Sequence, residues 1–224
     1  MRRDAEAQTI SAGESRQAGP ASLMQGRPLE YGVFAGGGFG GVTQGFDQFF
    51  NLGVHAGKVL TPPGPSWLLR GQFEYAIEVM PLWQAYTSRF ERANCSKGPS
   101  NTVTCSGLYP TGGVYSGVSV TPIILRWNLP AERRFVPWVQ GAGGLVWTNH
   151  KFPPVGPYPA PGHQGTSVFN FTPQFGIGFH YFVRPRQSIS FAANAVHISS
   201  ASLGDSNPGV NASVQFSFGY TWWH

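Results

Sequence analysis

Residues 168–183 read VFNFTPQFGIGFHYFV, and this stretch decides the fold of the chain. Phe169, Phe171, Phe175, Ile177, Phe179, Tyr181 and Val183 share one parity; Asn170, Thr172, Gln174, Gly176, Gly178 and His180 share the other. Side chains of a β-strand alternate between its two faces, so a period of two makes one large apolar face and one small or polar face. Two architectures use such strands. In a soluble sandwich the apolar face is the core and the polar face meets water. In a small membrane barrel the apolar face meets lipid and the polar face fills the lumen.

Outward from this stretch, eight strand-like runs fall at about 29–38, 50–60, 67–86, 113–128, 135–148, 167–183, 187–199 and 210–223, separated by turn chemistry. In the third run Trp67, Leu69, Phe73, Tyr75, Ile77 and Val79 alternate with Arg70, Gln72, Glu74 and Glu78. In the last, Val214, Phe216, Phe218, Tyr220 and Trp222 alternate with Ser213, Gln215, Ser217, Gly219 and Thr221. Three features choose the membrane. Arg70, Glu74 and Glu78 sit on the polar face, as a packed polar lumen requires. The segments between runs alternate in length: 39–49, 87–112, 149–166 and 200–209 are long, whereas 61–66, 129–134 and 184–186 are short. Trp67, Trp83, Trp127, Trp147 and Trp222 fall near run ends, where interfacial aromatic girdles lie.

The expectation is therefore an all-β fold: an eight-stranded antiparallel transmembrane β-barrel over residues 28–224, with long extracellular loops and short periplasmic turns. The even strand count places both termini on the periplasmic side. In the fourth run Val118 and Val120 differ in parity from Ile123 and Leu125, which predicts a bulge or bend at Pro122.

Composition agrees. Charged residues are 11% of the 224 positions, against about 25% in an ordinary soluble domain. Aromatics reach 14%, with 30 Gly and 19 Pro. No run of 18 or more apolar residues encodes a transmembrane helix. The net charge of +5 comes from scattered Lys and Arg, so no nucleic-acid partner is expected. Cys95 and Cys105 flank one polar loop. They read as a loop disulfide in an oxidising compartment, with two free thiols as the alternative. No CxxC pattern exists and His150 and His163 lie far along the chain, so no metal site is expected. Residues 1–27 are polar and lack the apolar core of a secretory signal, although Ala5-Glu6-Ala7 loosely resembles a cleavage site. That segment is expected to be disordered or the trimmed remnant of a leader.

Few motifs carry chemistry. The glycine-rich 36–41 segment formally matches GxGxxG, but a dinucleotide site needs a helix next and an acidic residue about 20 positions on. A loop and another strand follow instead, so the glycines read as a tightly packed barrel end. No GxSxG elbow is present. His180 and His55 read as hydrogen-bonded lumen residues.

His197 and Ser199 differ. They are two residues apart, so a strand places both on one face, and that face also carries Ile189, Phe191, Ala193 and Ala195. In a barrel this is the lipid face, which leaves a serine and a histidine side by side at the end of an apolar stripe. Serine is a weak nucleophile until an adjacent base takes its proton. A third group normally fixes the histidine tautomer. The loop that follows ends in Asp205-Ser206-Asn207-Pro208-Gly209, which offers backbone amides and the Asn207 side chain for an oxyanion hole.

With these residues in view the chain resembles the outer-membrane lipid A 3-O-deacylase family, acyloxyacyl hydrolase-like barrels of eight strands. That family carries an H-x-S-N-A motif late in the chain, then a turn-rich loop, then an acidic residue at the start of the last strand. The match is His197-Ile198-Ser199-Ser200-Ala201, with Asn207-Pro208-Gly209 in the loop. The resemblance implies Ser199 as nucleophile and His197 as general base. The site would lie on the outer end of the seventh and eighth strands, facing lipid. The implied reaction is hydrolysis of the ester-linked acyl chain at the 3 position of lipid A, in the bacterial outer membrane. Lipid A or lipopolysaccharide and the surrounding outer-membrane lipids are the implied partners, and no cofactor is required.

Three positions depart from the family pattern. Ser200 stands where the family has asparagine; it retains a backbone N–H for the oxyanion but no side-chain amide. Asn211 stands where the family has glutamate. Asparagine orients a histidine but brings no charge to an imidazolium, and its parity is that of Ser213 and Gln215. Asp205 is the nearest carboxylate and the alternative third member. The chain ends in His224, whereas such barrels usually end in an aromatic residue. The departures sustain a second reading, a non-catalytic structural or binding barrel with a degenerate site. A soluble lipocalin-like carrier is weaker, because its outer face would have to be polar.

Overall fold

The computed structural model describes residues 19–40, 47–64, 70–131, 133–154, 166–201, 203–204 and 211–224. The strands in chain order are β1 (Leu29–Gly40), β2 (Asp47–Val59), β3 (Gln72–Arg92), β4 (Cys95–Lys97), β5 (Val103–Cys105), β6 (Tyr109–Asn128), β7 (Phe135–Phe152), β8 (Ser167–Arg184), β9 (Gln187–Ile198) and β10 (Asn211–Trp223). All but β4 and β5 join one closed antiparallel barrel, in which β1 also pairs with β10. Closure leaves no open strand edge, which a chain in hydrocarbon requires because lipid cannot satisfy free N–H and C=O groups.

The two faces are inverted relative to a soluble protein. Tyr31, Val33, Leu52, Ile77, Val118, Ile123, Phe175, Ile177 and Phe218 are exposed on the outside, whereas Gln72, Gln140, Thr172, His180, Ser213 and Thr221 are buried inside. Within β6, Val118, Val120, Ile123 and Leu125 all stay outward by the anticipated irregularity, while Ile124 is buried. Register shifts fall between Val120 and Ile123 against β7 and between Ala76 and Glu78 against β3. Tyr75 donates its hydroxyl to the Pro122 carbonyl beside that bulge.

The middle of the lumen is held by Arg126. Its Nη1 donates to Glu30 Oε1 at 2.9 Å and to Glu74 Oε1 at 3.0 Å, and its Nε donates to Gln140 Oε1 at 3.1 Å. Asn128 donates to the other Glu74 oxygen at 2.6 Å, and Gln140 passes the chain on to Asn194 at 3.1 Å. The guanidinium also lies 4.5 Å from the centre of the Trp138 ring. Glu30, Glu74, Arg126, Gln140 and Asn194 come from β1, β3, β6, β7 and β9, so one cation ties five of the eight barrel strands. Room for it comes partly from Gly57: a Cβ there would stand 2.7 Å from Glu74 Oε1 and 2.9 Å from Glu30 Oε1.

Apolar layers close the lumen above and below. At the end with the long loops, Phe49, Trp83, Tyr115, Val146, Phe152 and Ile198 pack together, with Trp83 and Phe152 meeting edge to face at 5.5 Å. At the end with the termini, Val59, Val136, Phe182 and Trp223 pack around Met24. Met24 belongs to a six-residue helix, α1 (Pro20–Gln25), which starts with proline at its first position, where the missing N–H costs nothing. Gln72 donates to the Met24 carbonyl at 2.8 Å and fixes the helix under the barrel.

Several expectations need correction. The segment expected to be unstructured through residue 27 contains α1; residues 1–18 lie outside the described residues. The third strand begins at Gln72 and runs on to Arg92, whereas the expected span was 67–86. Arg70 is exposed and precedes the ladder, so it does not join the lumen, and Trp67 lies outside the described residues. The segment 87–112 is in large part strand. β3 and β6 continue past the apolar band, and β4 and β5 cap them as a hairpin with Cys95 disulfide-bonded to Cys105. Beyond the band both faces meet water, so alternation gave no sign of these extensions. Trp83 is buried inside rather than in a girdle, because the register shift between Met80 and Trp83 turns it inward.

Replacing Arg126 by Met should leave Glu30 and Glu74 as buried carboxylates without their cation. Loss of one partner of such a pair costs about 3–5 kcal/mol. A urea midpoint for the Arg126→Met protein refolded in lipid vesicles that matches the wild type would show that the cluster does not hold the barrel.

Candidate active site

Strand β9 keeps strict alternation to its end. Ser188, Ala192, Val196 and Ile198 are buried in the barrel, while Ala195 is exposed and His197 and Ser199 are half-buried. His197 therefore stands on the outer face, which elsewhere carries the lipid-facing apolar residues, as parity indicates.

The neighbours of His197 follow from the register. On β10, Ala212 pairs with His197, Val214 with Ala195 and Phe216 with Ala193. On β8, Phe175 pairs with Ala195 and Ile177 with Ala193, and an isolated bridge joins Phe171 to Ser199. That bridge exchanges both backbone hydrogen bonds, Phe171 N to Ser199 O at 2.7 Å and Ser199 N to Phe171 O at 3.0 Å. The same register leaves Pro173 facing His197. Proline has no N–H, so the ladder lacks one donor at the His197 carbonyl.

Two consequences follow. Ala193 and Ala195 form a shallow trough between the larger side chains Phe175 and Ile177 on one side and Val214 and Phe216 on the other. The trough points at His197. Past Ser199 the chain leaves the sheet at once. Ser199 Oγ accepts the Ala201 N–H at 3.2 Å, Ala201 takes a left-handed φ of 47°, and Leu203 N–H closes a turn onto the Ser200 carbonyl at 2.9 Å. The hydroxyl thus sits at a sharp strand-to-loop corner, with its oxygen facing the following backbone amide.

The ring nitrogen Nδ1 of His197 is enclosed and has no hydrogen-bond partner among the described residues. The structure brings His197, Ser199 and Ser200 to one strand end, with the Ser200 side chain buried. Asp205 and Asn207 lie outside the described residues. Asn211 begins β10, and its backbone pairs with Ile198, one position from the residue opposite His197. Among the described residues, no group of three His, Cys, Asp or Glu is placed to hold a metal ion.

Sequence reading missed the residues that brace this wall from inside. Asn194, three positions before His197, is tied through Gln140 to Arg126. Pro173 was visible as a proline inside an otherwise regular strand, but its position opposite His197 needed the register. Glu30 and Arg126 were visible only as charges within apolar runs.

Comparison with known proteins gives one family. A family model for lipid A 3-O-deacylase (PagL) matches residues 67–221. Among solved structures, the chain is similar to the crystal structure of the outer membrane enzyme PagL, at 14% identity with a TM-score of 0.51, over 85% of this chain and 98% of that one. It is also similar to Neisserial surface protein A (NspA), at 10% identity with a TM-score of 0.51, over 87% of this chain and 96% of that one. At these identities the two structures speak for the eight-stranded outer-membrane fold alone. A search of the curated proteins found no match.

The orientation of β9 can be tested with single cysteines, since the chain has no free thiol among the described residues. In the vesicle-inserted protein, Ala195→Cys should react with a bilayer-partitioned maleimide and Val196→Cys should stay protected. The opposite pattern would mean that β9 presents the other face to lipid.

Proposed function

The chain belongs to the lipid A 3-O-deacylase (PagL) family of outer-membrane barrels, and from that premise we propose that it is a serine esterase removing the 3-O-linked acyl chain of lipid A. The observation that carries the assignment is the His197–Ser199 pair at the lipid-facing end of β9, where a buried or water-facing site would never meet a membrane-anchored ester. Lipid A and the neighbouring outer-membrane lipids are its partners.

The chemistry runs as follows. His197 takes the Ser199 hydroxyl proton as Oγ attacks the acyl carbonyl. With Nδ1 enclosed, Nε2 is the nitrogen that handles this proton. The tetrahedral oxyanion is held by backbone N–H groups at the corner after Ser199, Ser200 N–H first, with Asn207 as a side-chain donor from the loop. Collapse breaks the bond to the sugar oxygen, which leaves with the proton from His197. A water molecule then gives its proton to His197 and attacks the acyl-serine, releasing the fatty acid and restoring Ser199. Asn211 or Asp205 supplies the group that fixes the ring at Nδ1. The acyl chain lies in the Ala193–Ala195 trough, in contact with Phe175, Ile177, Val214 and Phe216.

A second reading, a binding barrel without catalysis, is favoured by one observation, the enclosed Nδ1 without a partner among the described residues. Mass spectrometry of lipid A from expressing cells separates the two. Wild type should remove one ester-linked acyl chain, and Ser199→Ala should lose roughly 10³-fold or more of that activity while keeping the folded barrel. Identical lipid A from both strains would falsify the enzyme reading. Ala195→Phe, which fills the trough, should raise KM for the lipid substrate with little change in kcat; the reverse split would remove the trough from the substrate path.

A further inference from the structure

The end of the barrel that carries the termini has a charge pattern the deacylase reading does not use. Arg27, Arg70, Arg133, Arg134, Arg184 and Arg186 are all exposed there. They come from four separate segments: the link from α1 to β1, the approach to β3, and the β6–β7 and β8–β9 turns. No ion pair involves any of them among the described residues. The ion pairs among the described residues that involve Glu30 and Glu74 lie inside the barrel. Glu132, beside Arg133, lies outside the described residues. The opposite end is mixed, with Asp47 and Glu91 near Arg89, Arg92, Lys97 and Lys151.

Three of these arginines converge. Arg133, Arg134 and Arg184 line one concave site of about 500 Å³, floored by Pro20 of α1 and by Phe182 and Pro185. Arg27 and Arg133 hold left-handed φ values of 53° and 54°, a conformation that glycine or asparagine adopts more cheaply. Depth is marked by Lys58, which continues the outward, lipid-facing parity of Leu52 and Val54 near the end of β2. A lysine on that face reaches out of hydrocarbon to the headgroup level. The arginine turns lie at the same end, where the strands leave the apolar band.

Guanidinium presents planar paired donors that match phosphate oxygens, and its weak hydration suits an interface. We propose that the Arg133–Arg134–Arg184 pocket binds the phosphate of an anionic phospholipid headgroup from the periplasmic leaflet. The site is independent of Ser199 and lies at the other end of the barrel.

The test is native mass spectrometry of the full chain released from detergent. It is titrated with phosphatidylglycerol, with phosphatidylcholine of the same acyl chains, and with orthophosphate alone. Phosphatidylglycerol adducts should appear at lower concentration than phosphatidylcholine adducts, and each arginine removed should weaken them roughly fivefold, the weight of one basic residue at an anionic surface. The triple variant R133Q/R134Q/R184Q should lose the preference while keeping the heat-modifiable gel shift of a folded barrel. The single variant Arg184→Gln, at the exposed end of β8, gives the same reading if the triple variant does not fold. Equal retention of the two lipids, or unchanged preference in the folded variants, would overturn the proposal. So would displacement of phosphatidylglycerol by equimolar orthophosphate, since free phosphate would then be the ligand.

Discussion

The pairing of Arg126 with Glu30 and Glu74 is the interaction on which the rest of this barrel depends. An eight-stranded barrel is just wide enough for side chains to fill its interior, and here the filling is ionic. Each of those charges would be costly to bury alone. Together, and with hydrogen bonds to Gln140 and Asn128 and on to Asn194, they form a network in which five strands share one centre. The geometry is selective as well as cohesive. A Cβ at position 57 would press on both carboxylates, and Gln140 holds Asn194 on the inner face of β9. Once Asn194 points inward, alternation puts Ala193, Ala195 and His197 outward.

A filled lumen also decides where function can be. The apolar layers around Phe152 at one end and Met24 at the other sit above and below the ionic centre. What stays accessible is the outer wall and the two rims. A half-buried polar pair at the end of this outward-facing stripe is out of keeping with the lipid-facing residues around it. That misfit is what the proposed esterase reading rests on: at this place an acyl ester of a membrane lipid would arrive without leaving the bilayer.

Much of this was legible in the sequence, for a physical reason. When one face of each strand meets lipid and the other meets a packed lumen, almost every residue is forced to obey a period of two. The strand runs, the Pro122 bulge and the outward direction of His197 all follow from that rule. Where the rule lapses, so does the reading. β3 and β6 continue past the membrane with water on both sides, and their last turns carry no pattern. Trp83 was assigned to a girdle because a register shift of β3 cannot be seen in β3 alone. The Arg126 network was missed because its partners are 52 and 96 residues away, and parity says only that each faces inward.

The third member of the site is where local reading runs out most instructively. The ladder pairs Ala212 with His197 and Asn211 with Ile198. Successive residues of a strand face opposite sides, so a group at position 211 meets His197 from the outer face only if the ladder slips by one residue. Asp205 precedes β10 in the sequence, so the ladder of β9 and β10 sets no such condition on it. The difference is chemical as well as geometric. In the proposed reaction a carboxylate would stabilise the imidazolium formed when His197 takes the serine proton, and strongly so beside hydrocarbon, where screening is weak. An asparagine fixes the ring but leaves that charge unanswered. In the proposed reaction the enclosed Nδ1 is therefore the point on which catalytic power turns: a carboxylate partner there would answer the imidazolium charge, whereas Asn211 would only hold the ring.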